Sequence, residues 1–487
     1  MERRRFLGQG FKALLTPLAL GRTFSPSLTW AASPAQPSAP RGRVDVVIVG
    51  AGFAGLEAGR QLTAAGKKVV ILEARGRIGG RTNTEVLEGG LHLDVGGQWL
   101  GPTQDRALKL VREFGIEMFP TYNQGQSVLI ENGERSVYSG TIPKLSIAAL
   151  LDLDSAMKKL DALAQTLNMQ EPWKTPGARE LDSQTLATWF QAHVWTDAAR
   201  RLLSGGMCQL LSVDTARVSL LHALYYIRAG VNLSTLLAVE GGAQELRFKL
   251  GTQALANKLA DSFRSSLYLD SPVLEISQDA RGARVRTARF VVETDRVIVA
   301  IPPALAARID YSPILSADRD QLTQSMPMGS VVKSMAFYSK PFWRDQNMTG
   351  QAVDTTGPYF ATFDNSPLSG SPGILVGFAL GSAGEQMRRL TLEQRKAVFL
   401  DSLVKFFGQE AARPVSYLEH SWSDEKWSRG CFAGVFPPGV WTSLGHALWR
   451  PEGRIHWAGT ETARQWCGYI EGALESGERV TREIASE

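Results

Sequence analysis

Val44-Asp45-Val46-Val47-Ile48-Val49-Gly50-Ala51-Gly52-Phe53-Ala54-Gly55 (VDVVIVGAGFAG, residues 44–55) decides how this chain folds. The run Val44–Val49 is short, apolar and β-branched, the pattern of a strand buried in a parallel sheet. In the turn that follows, Gly50 permits a tight bend and Gly52 lets the backbone approach a pyrophosphate. Gly55 allows the next helix to press against the strand. That helix is predicted over 54–65, ending near Gly66, and a second strand over Val69–Leu72 closes on Glu73. The helix start presents unpaired N–H groups and a positive dipole end to an anion. Glu73 lies 18 residues past Gly55, where a carboxylate can accept both hydroxyls of a ribose. This βαβ unit is a dinucleotide site, and by itself it does not choose between NAD and FAD.

The rest of the 487 residues have ordinary globular composition, 44% hydrophobic and 21% charged, with length for more than one core. Residues 1–40 hold Arg3, Arg4, Arg5, Lys12 and Arg22 against Glu2, a net +4 of the chain's +5. The remainder is nearly neutral, which excludes a polyanion-binding surface as the reading of the charge. The basic start precedes an apolar stretch, Phe11–Leu20, and a Ser/Pro/Ala-rich run to Pro40. Such a segment reads as a cleavable export signal, with cleavage at Ala31 or within Ala32–Ala35, and a disordered basic tail as the alternative. Arg3-Arg4-Arg5-Phe6-Leu7 resembles the twin-arginine signal, which implies a bacterial protein exported already folded to the periplasm. No later segment has about 20 uninterrupted apolar residues. Cys208, Cys431 and Cys467 are too few and scattered for a disulfide framework, and the six histidines show no metal spacing, so no metal is expected.

From about Leu145 to Ala229 the apolar spacing predicts mostly helix; strands are predicted at Arg284–Ile301, Val331–Phe337, Gly373–Phe378 and Arg454–Ala458, and a last helix from near Gly468. This alternation suggests a cofactor domain assembled from separated pieces with a substrate domain inserted between them.

Further motifs sharpen the reading. Ala74–Arg81 (ARGRIGGR) and Asp94–Pro102 (DVGGQWLGP) resemble signatures of the flavin amine oxidase family, in which the second glycine pair and its arginine pack against the FAD pyrophosphate. Gly430–Gly439 (GCFAGVFPPG), Trp457–Ala463 (WAGTETA) and Trp466–Ala473 (WCGYIEGA) resemble the monoamine oxidase branch in order and spacing. The resemblance spans about Val44 to Ile484. It implies an α/β fold: a discontinuous, Rossmann-like FAD-binding domain (43–118, 249–322, 425–487) with an inserted substrate domain of mixed sheet and helices (119–248, 323–424), after a signal and linker (1–42).

The same resemblance assigns residues. It implies FAD contacts from Gly50, Gly52, Ala54, Gly55, Glu73, Ala74, Arg75, Arg81, Gly97, Gln98, Trp99, Val273, Gly459, Thr460, Glu461, Gly468, Tyr469 and Ile470. It places Cys431 where the branch carries a thioether to the flavin C8 methyl, although a free cysteine is ordinarily a small buried hydrophobe. Phe432 and Tyr469 fall at the paired aromatic walls before the flavin; most members have tyrosine at both, so Phe432 is a departure. Lys333, in Met328–Lys333 (MGSVVK) ahead of Pro341-Phe342-Trp343, matches the lysine that holds a water against flavin N5. On an alternating strand it could instead lie on a solvated face. Lys333, Phe432 and Tyr469 are therefore the expected catalytic set.

Trp99, Gln209, Leu210, Leu237, Gln244, Phe378, Phe432 and Tyr469 match substrate-cavity positions, an apolar slot with two amides. The implied reaction is oxidative deamination of a hydrophobic or aromatic primary amine to aldehyde, ammonia and hydrogen peroxide. An amine dehydrogenase serving a periplasmic redox protein, a putrescine, polyamine or L-amino-acid oxidase, and a non-catalytic flavin scaffold are the alternatives. The partners expected are a small amine and oxygen, with no nucleic acid and no permanent membrane anchor; a homodimer is left open.

Overall fold

The computed structural model describes Pro40, residues 42–140 and residues 143–486; the segment read as an export signal lies outside the described residues. Strand β1 (Val44–Val49) runs parallel to β2 (Val69–Leu72) on one side and to the strand Val291–Val299 on the other. A strand so placed has no polar edge, which is why its sequence is almost wholly apolar. The eight-stranded sheet continues in the order Leu267–Tyr268, β2, β1, Val291–Val299, Ala283–Thr287, Val273–Gln278, Asp310–Ser312, with Ile455–Trp457 beside Val291–Val299. Its strands thus come from three stretches of chain separated by long insertions.

Helix α1 (Phe53–Ala64) crosses from β1 to β2. A Cβ at Gly55 would stand 2.0 Å from the Gly50 carbonyl oxygen and 3.2 Å from Ile48 Cγ2, so only glycine lets the helix start so close to the strand end. The C-terminal helix Ile470–Ala485 lies against α1 through Gly477, whose Cβ would stand 2.6 Å from the Ala54 carbonyl oxygen.

A second, seven-stranded sheet has the order Ser416–Ser421, Val331–Tyr338, Gly373–Leu380, Ala361–Asp364, Met348–Asp354, Gln126–Glu131, Glu134–Tyr138. Val331–Tyr338 and Gly373–Leu380 are buried at every position. The helices between Ile147 and Ala229 share one core with Val435, Phe436, Trp441 and Trp466 from the C-terminal part. Among the described residues no helix is long and apolar enough to cross a membrane.

One expectation needed revision. The strand expected over Arg284–Ile301 is a hairpin, Ala283–Thr287 and Val291–Val299, because the Thr287 hydroxyl accepts from the N–H groups of Arg289 and Phe290 and turns the chain back. The stretch from Leu145 to Ala229 is mostly helix, as expected, in five α-helices with 3-10 turns at Pro172–Lys174 and Thr215–Arg217; Gly177 at φ 75° precedes the helix Ala178–Ser183.

Gly55→Ala should lower stability by about 1–3 kcal/mol or more through overpacking at the helix–strand contact. Denaturant unfolding of the purified variant measures this; an unchanged midpoint would contradict the contact.

Candidate active site

A single cavity of about 390 Å³ runs from the glycine turn to Tyr469, between the carboxyl ends of the parallel strands and the second sheet. At the turn, α1 opens on Gly52 with no side-chain cap and no acid in its first turn, leaving its N–H groups for an anion. A Cβ at Gly52 would meet nothing closer than Gly80 Cα at 3.9 Å, so the backbone is open to a close-packed ligand. Glu73 accepts from Ala51 N at 2.7 Å and from Arg75 N at 2.9 Å, and thereby fixes the turn.

Arg81 closes the middle of the cavity. It donates to Glu461 through both terminal nitrogens, at 2.5 and 3.0 Å, and to the Phe432 carbonyl at 2.8 Å. Burial disfavours its charge, but the fully buried Glu461 carboxylate more than offsets this and raises the guanidinium's pKa. Arg77 is spent on the carbonyls of Ile78, Gly80 and Thr82 and braces the loop from behind.

Aromatic residues fill the far end. Phe432 meets Phe378 edge-on at 6.4 Å, Trp99 meets Phe363 at 5.4 Å, and Tyr469 is braced by Trp466 at 4.9 Å and Tyr226 at 6.1 Å. The backbone of both walls is fixed: Ser212 Oγ accepts from Phe432 N, and Thr460 Oγ1 donates to the Tyr469 carbonyl. Such bracing suits rings that must hold a fixed separation.

Behind this end stands Lys333, only 2% exposed on a strand with no solvated face. Its Nζ donates to the carbonyls of Asp94 at 2.6 Å and Gly96 at 3.0 Å and to Gln98 Oε1. Burial pulls its pKa down to about 7, Asp94 opposing and Arg247 assisting.

The model for "Flavin containing amine oxidoreductase" matches residues 53–485. This chain belongs to the flavin-containing amine oxidase family. It is 35% identical over 447 residues to flavin-containing amine oxidase B of Sus scrofa, covering 91% of this chain and 86% of that protein. It is 37% identical over 461 residues to an L-amino acid dehydrogenase of a Synechocystis strain, covering 92% and 96%. Among solved structures, putrescine oxidase bound to putrescine superposes with a TM-score of 0.89 at 32% identity, covering 92% of this chain and 100% of that one.

The family uses FAD, an extended molecule with an anionic pyrophosphate at its middle and a flat ring at one end. The open glycine turn, the uncapped helix start and the continuous cavity fit it. Of the residues assigned to FAD from sequence, all but Gly55, Cys431 and Glu461 line this cavity. Gly55 acts through packing and Glu461 through Arg81, while Cys431 is buried beside Phe432 with its thiol pushed up to about 12 by desolvation. All eight substrate-cavity assignments line it, and Lys333 does not.

Sequence reading missed Phe363, Tyr226 and Leu236, which line the aromatic end, and Trp427 and Ser428. Phe363 lies on a four-residue strand and Tyr226 on a helix buried at almost every position, so neither stood out from its neighbours.

Gly52→Ala should leave unfolding within about 0.5 kcal/mol of the parent protein, since φ is −72° and the space is open. Flavin affinity, read by fluorescence titration, should fall at least about tenfold because the methyl displaces the pyrophosphate.

Proposed function

We propose that this protein is an FAD-dependent amine oxidase that converts a hydrophobic or aromatic primary amine, oxygen and water to the aldehyde, ammonia and hydrogen peroxide. The observation that carries the reading is the distribution of charge in the cavity. Its charged lining residues are Glu73, Arg75, Arg81 and Arg308. Glu73 and Arg75 follow β2, Arg308 follows the strand Val291–Val299, and Arg81 is neutralised by Glu461. Trp99, Gln209, Leu210, Leu237, Gln244, Phe363, Phe378, Phe432 and Tyr469 leave the far end without an ionised group. Among the described residues lining that end, no carboxylate can hold the second ammonium of a diamine and no unpaired arginine can hold an amino-acid carboxylate.

An apolar end of this kind favours the unprotonated amine, which needs no strong general base. Phe432 and Tyr469 confine the amine between ring faces, whose negative quadrupoles attract a nitrogen that becomes partly positive. A bound flavin would supply the two-electron acceptor for the hydride equivalent of the α-carbon, with oxygen as the terminal oxidant. Lys333 is the proton-holding group behind that end, and Cys431 is the attachment point of the flavin through its sulfur.

A second reading, a dehydrogenase that hands electrons to a redox protein, draws on the likeness to the L-amino acid dehydrogenase. It shares the reductive step and differs in making little peroxide. The basic start of the chain supports export to the periplasm; replacing Arg3, Arg4 and Arg5 by lysine should keep the protein in the cytoplasm on fractionation.

In a peroxide assay, phenylethylamine and benzylamine should exceed putrescine and L-amino acids in kcat/KM by at least about 100-fold, the cost of burying one unpaired charge. Peroxide from putrescine or an L-amino acid in preference to these would overturn the substrate assignment. Acid precipitation should leave the yellow colour with the parent protein and release it from Cys431→Ala; colour released from both would remove the thioether.

A further inference from the structure

Of the three acceptors around Lys333 Nζ, two are backbone carbonyls and one, Gln98, is a side chain. An ammonium can only donate, so the amide oxygen of Gln98 must face the lysine and its nitrogen must face away. That nitrogen donates to Asn365 Oδ1 at 2.8 Å, and the Asn365 amide nitrogen points to Met335 Sδ at 3.7 Å. Asn365 is itself held from both sides: its N–H donates to the Ile374 carbonyl, and its own carbonyl accepts from Arg247 Nη2 at 3.0 Å. Gln98 and Asn365 are 2% and 1% exposed, so water does not compete for these groups. Gln98 also lines the cavity, whereas Lys333 does not.

We propose that Gln98, locked by Asn365, is the positioning residue that sets the direction and the charge of Lys333 beside the cofactor cavity. This rests on the reading that Lys333 serves the flavin. Four other ionisable groups face the lysine. Asp94 stabilises its charge, but that carboxylate is engaged by Thr84 and Thr252; Arg247 opposes it. Cys431 faces it from the 430–434 loop, and His420, its register partner on the adjacent strand, is held neutral by burial. Among the direct contacts to Nζ, Gln98 is the one that substitution can retune without disturbing the backbone. Removing its oxygen takes an acceptor from the charged form and lowers the lysine pKa; a carboxylate in its place raises it.

The test is a pH titration of the visible flavin absorption in the oxidised holoenzyme without substrate, between about pH 5.5 and 9.5, with flavin content as the check on folding. The parent protein should show a spectral step near pH 7 that Lys333→Met abolishes. Gln98→Glu should move the midpoint up by about one pH unit or more, and Gln98→Met down by about one. Asn365→Leu should shift it in the same direction as Gln98→Met, by less. A residue that merely filled space would give no opposed pair of shifts. A step absent from the parent protein, or unchanged in Lys333→Met, overturns the placement of Lys333 at the flavin and the inference with it. A step that Lys333→Met removes but that stays at the same pH in both Gln98 variants overturns the role of Gln98 alone.

Discussion

The bidentate pair between Arg81 and Glu461, with the Phe432 carbonyl as third acceptor, joins three segments that lie up to 380 residues apart in the chain. Glu461 has no exposed side chain and Arg81 only 18%, so neither charge is adequately solvated without the other. Breaking such a pair by removing one partner typically costs about 3–5 kcal/mol, because the survivor stays buried and uncompensated. Glu461 also accepts from Gly434 N, so the same carboxylate anchors the loop that carries Cys431 and Phe432. The Gly79–Arg81 loop, the loop carrying Phe432 and the C-terminal turn before Tyr469 keep their mutual positions through this contact.

The two ends of the cavity obey opposite physical rules. Near the glycine turn, uncapped N–H groups at the carboxyl end of a parallel sheet favour a bound anion. At the far end, rings packed edge to face leave no fixed charge, and ionised ligands are disfavoured there. A molecule with a charged middle and a flat neutral end satisfies both. Lys333 stands outside the cavity wall, yet its buried charge is held by the very turn, Asp94 to Gln98, that forms part of that wall.

Much of this was legible in the sequence where the signal was local. β1, α1 and β2 followed from a period and a glycine spacing within about thirty residues, and their bounds shifted by a residue at most. The site motifs were legible through their resemblance to a family, and nearly all of them meet at one cavity. What could not be read was pairing at a distance. Nothing in the order of residues says that Arg81 meets Glu461, or that Lys333 is held by backbone carbonyls, which carry no residue signature. The alternation that would place Lys333 on a solvated face fails because its strand lies between Gly373–Leu380 and Ser416–Ser421 and is covered on both faces. The short strands of the second sheet, such as Ala361–Asp364, owe their existence to neighbours rather than to their own composition.

The central claim is that the uncharged aromatic end of the cavity presents a neutral amine to a bound flavin. Anaerobic addition of phenylethylamine to the purified holoenzyme, followed in the visible flavin band, tests it most directly. The account requires stoichiometric bleaching with formation of one equivalent of aldehyde. A flavin band that stays unchanged with every hydrophobic amine, while the flavin remains bound, would contradict it.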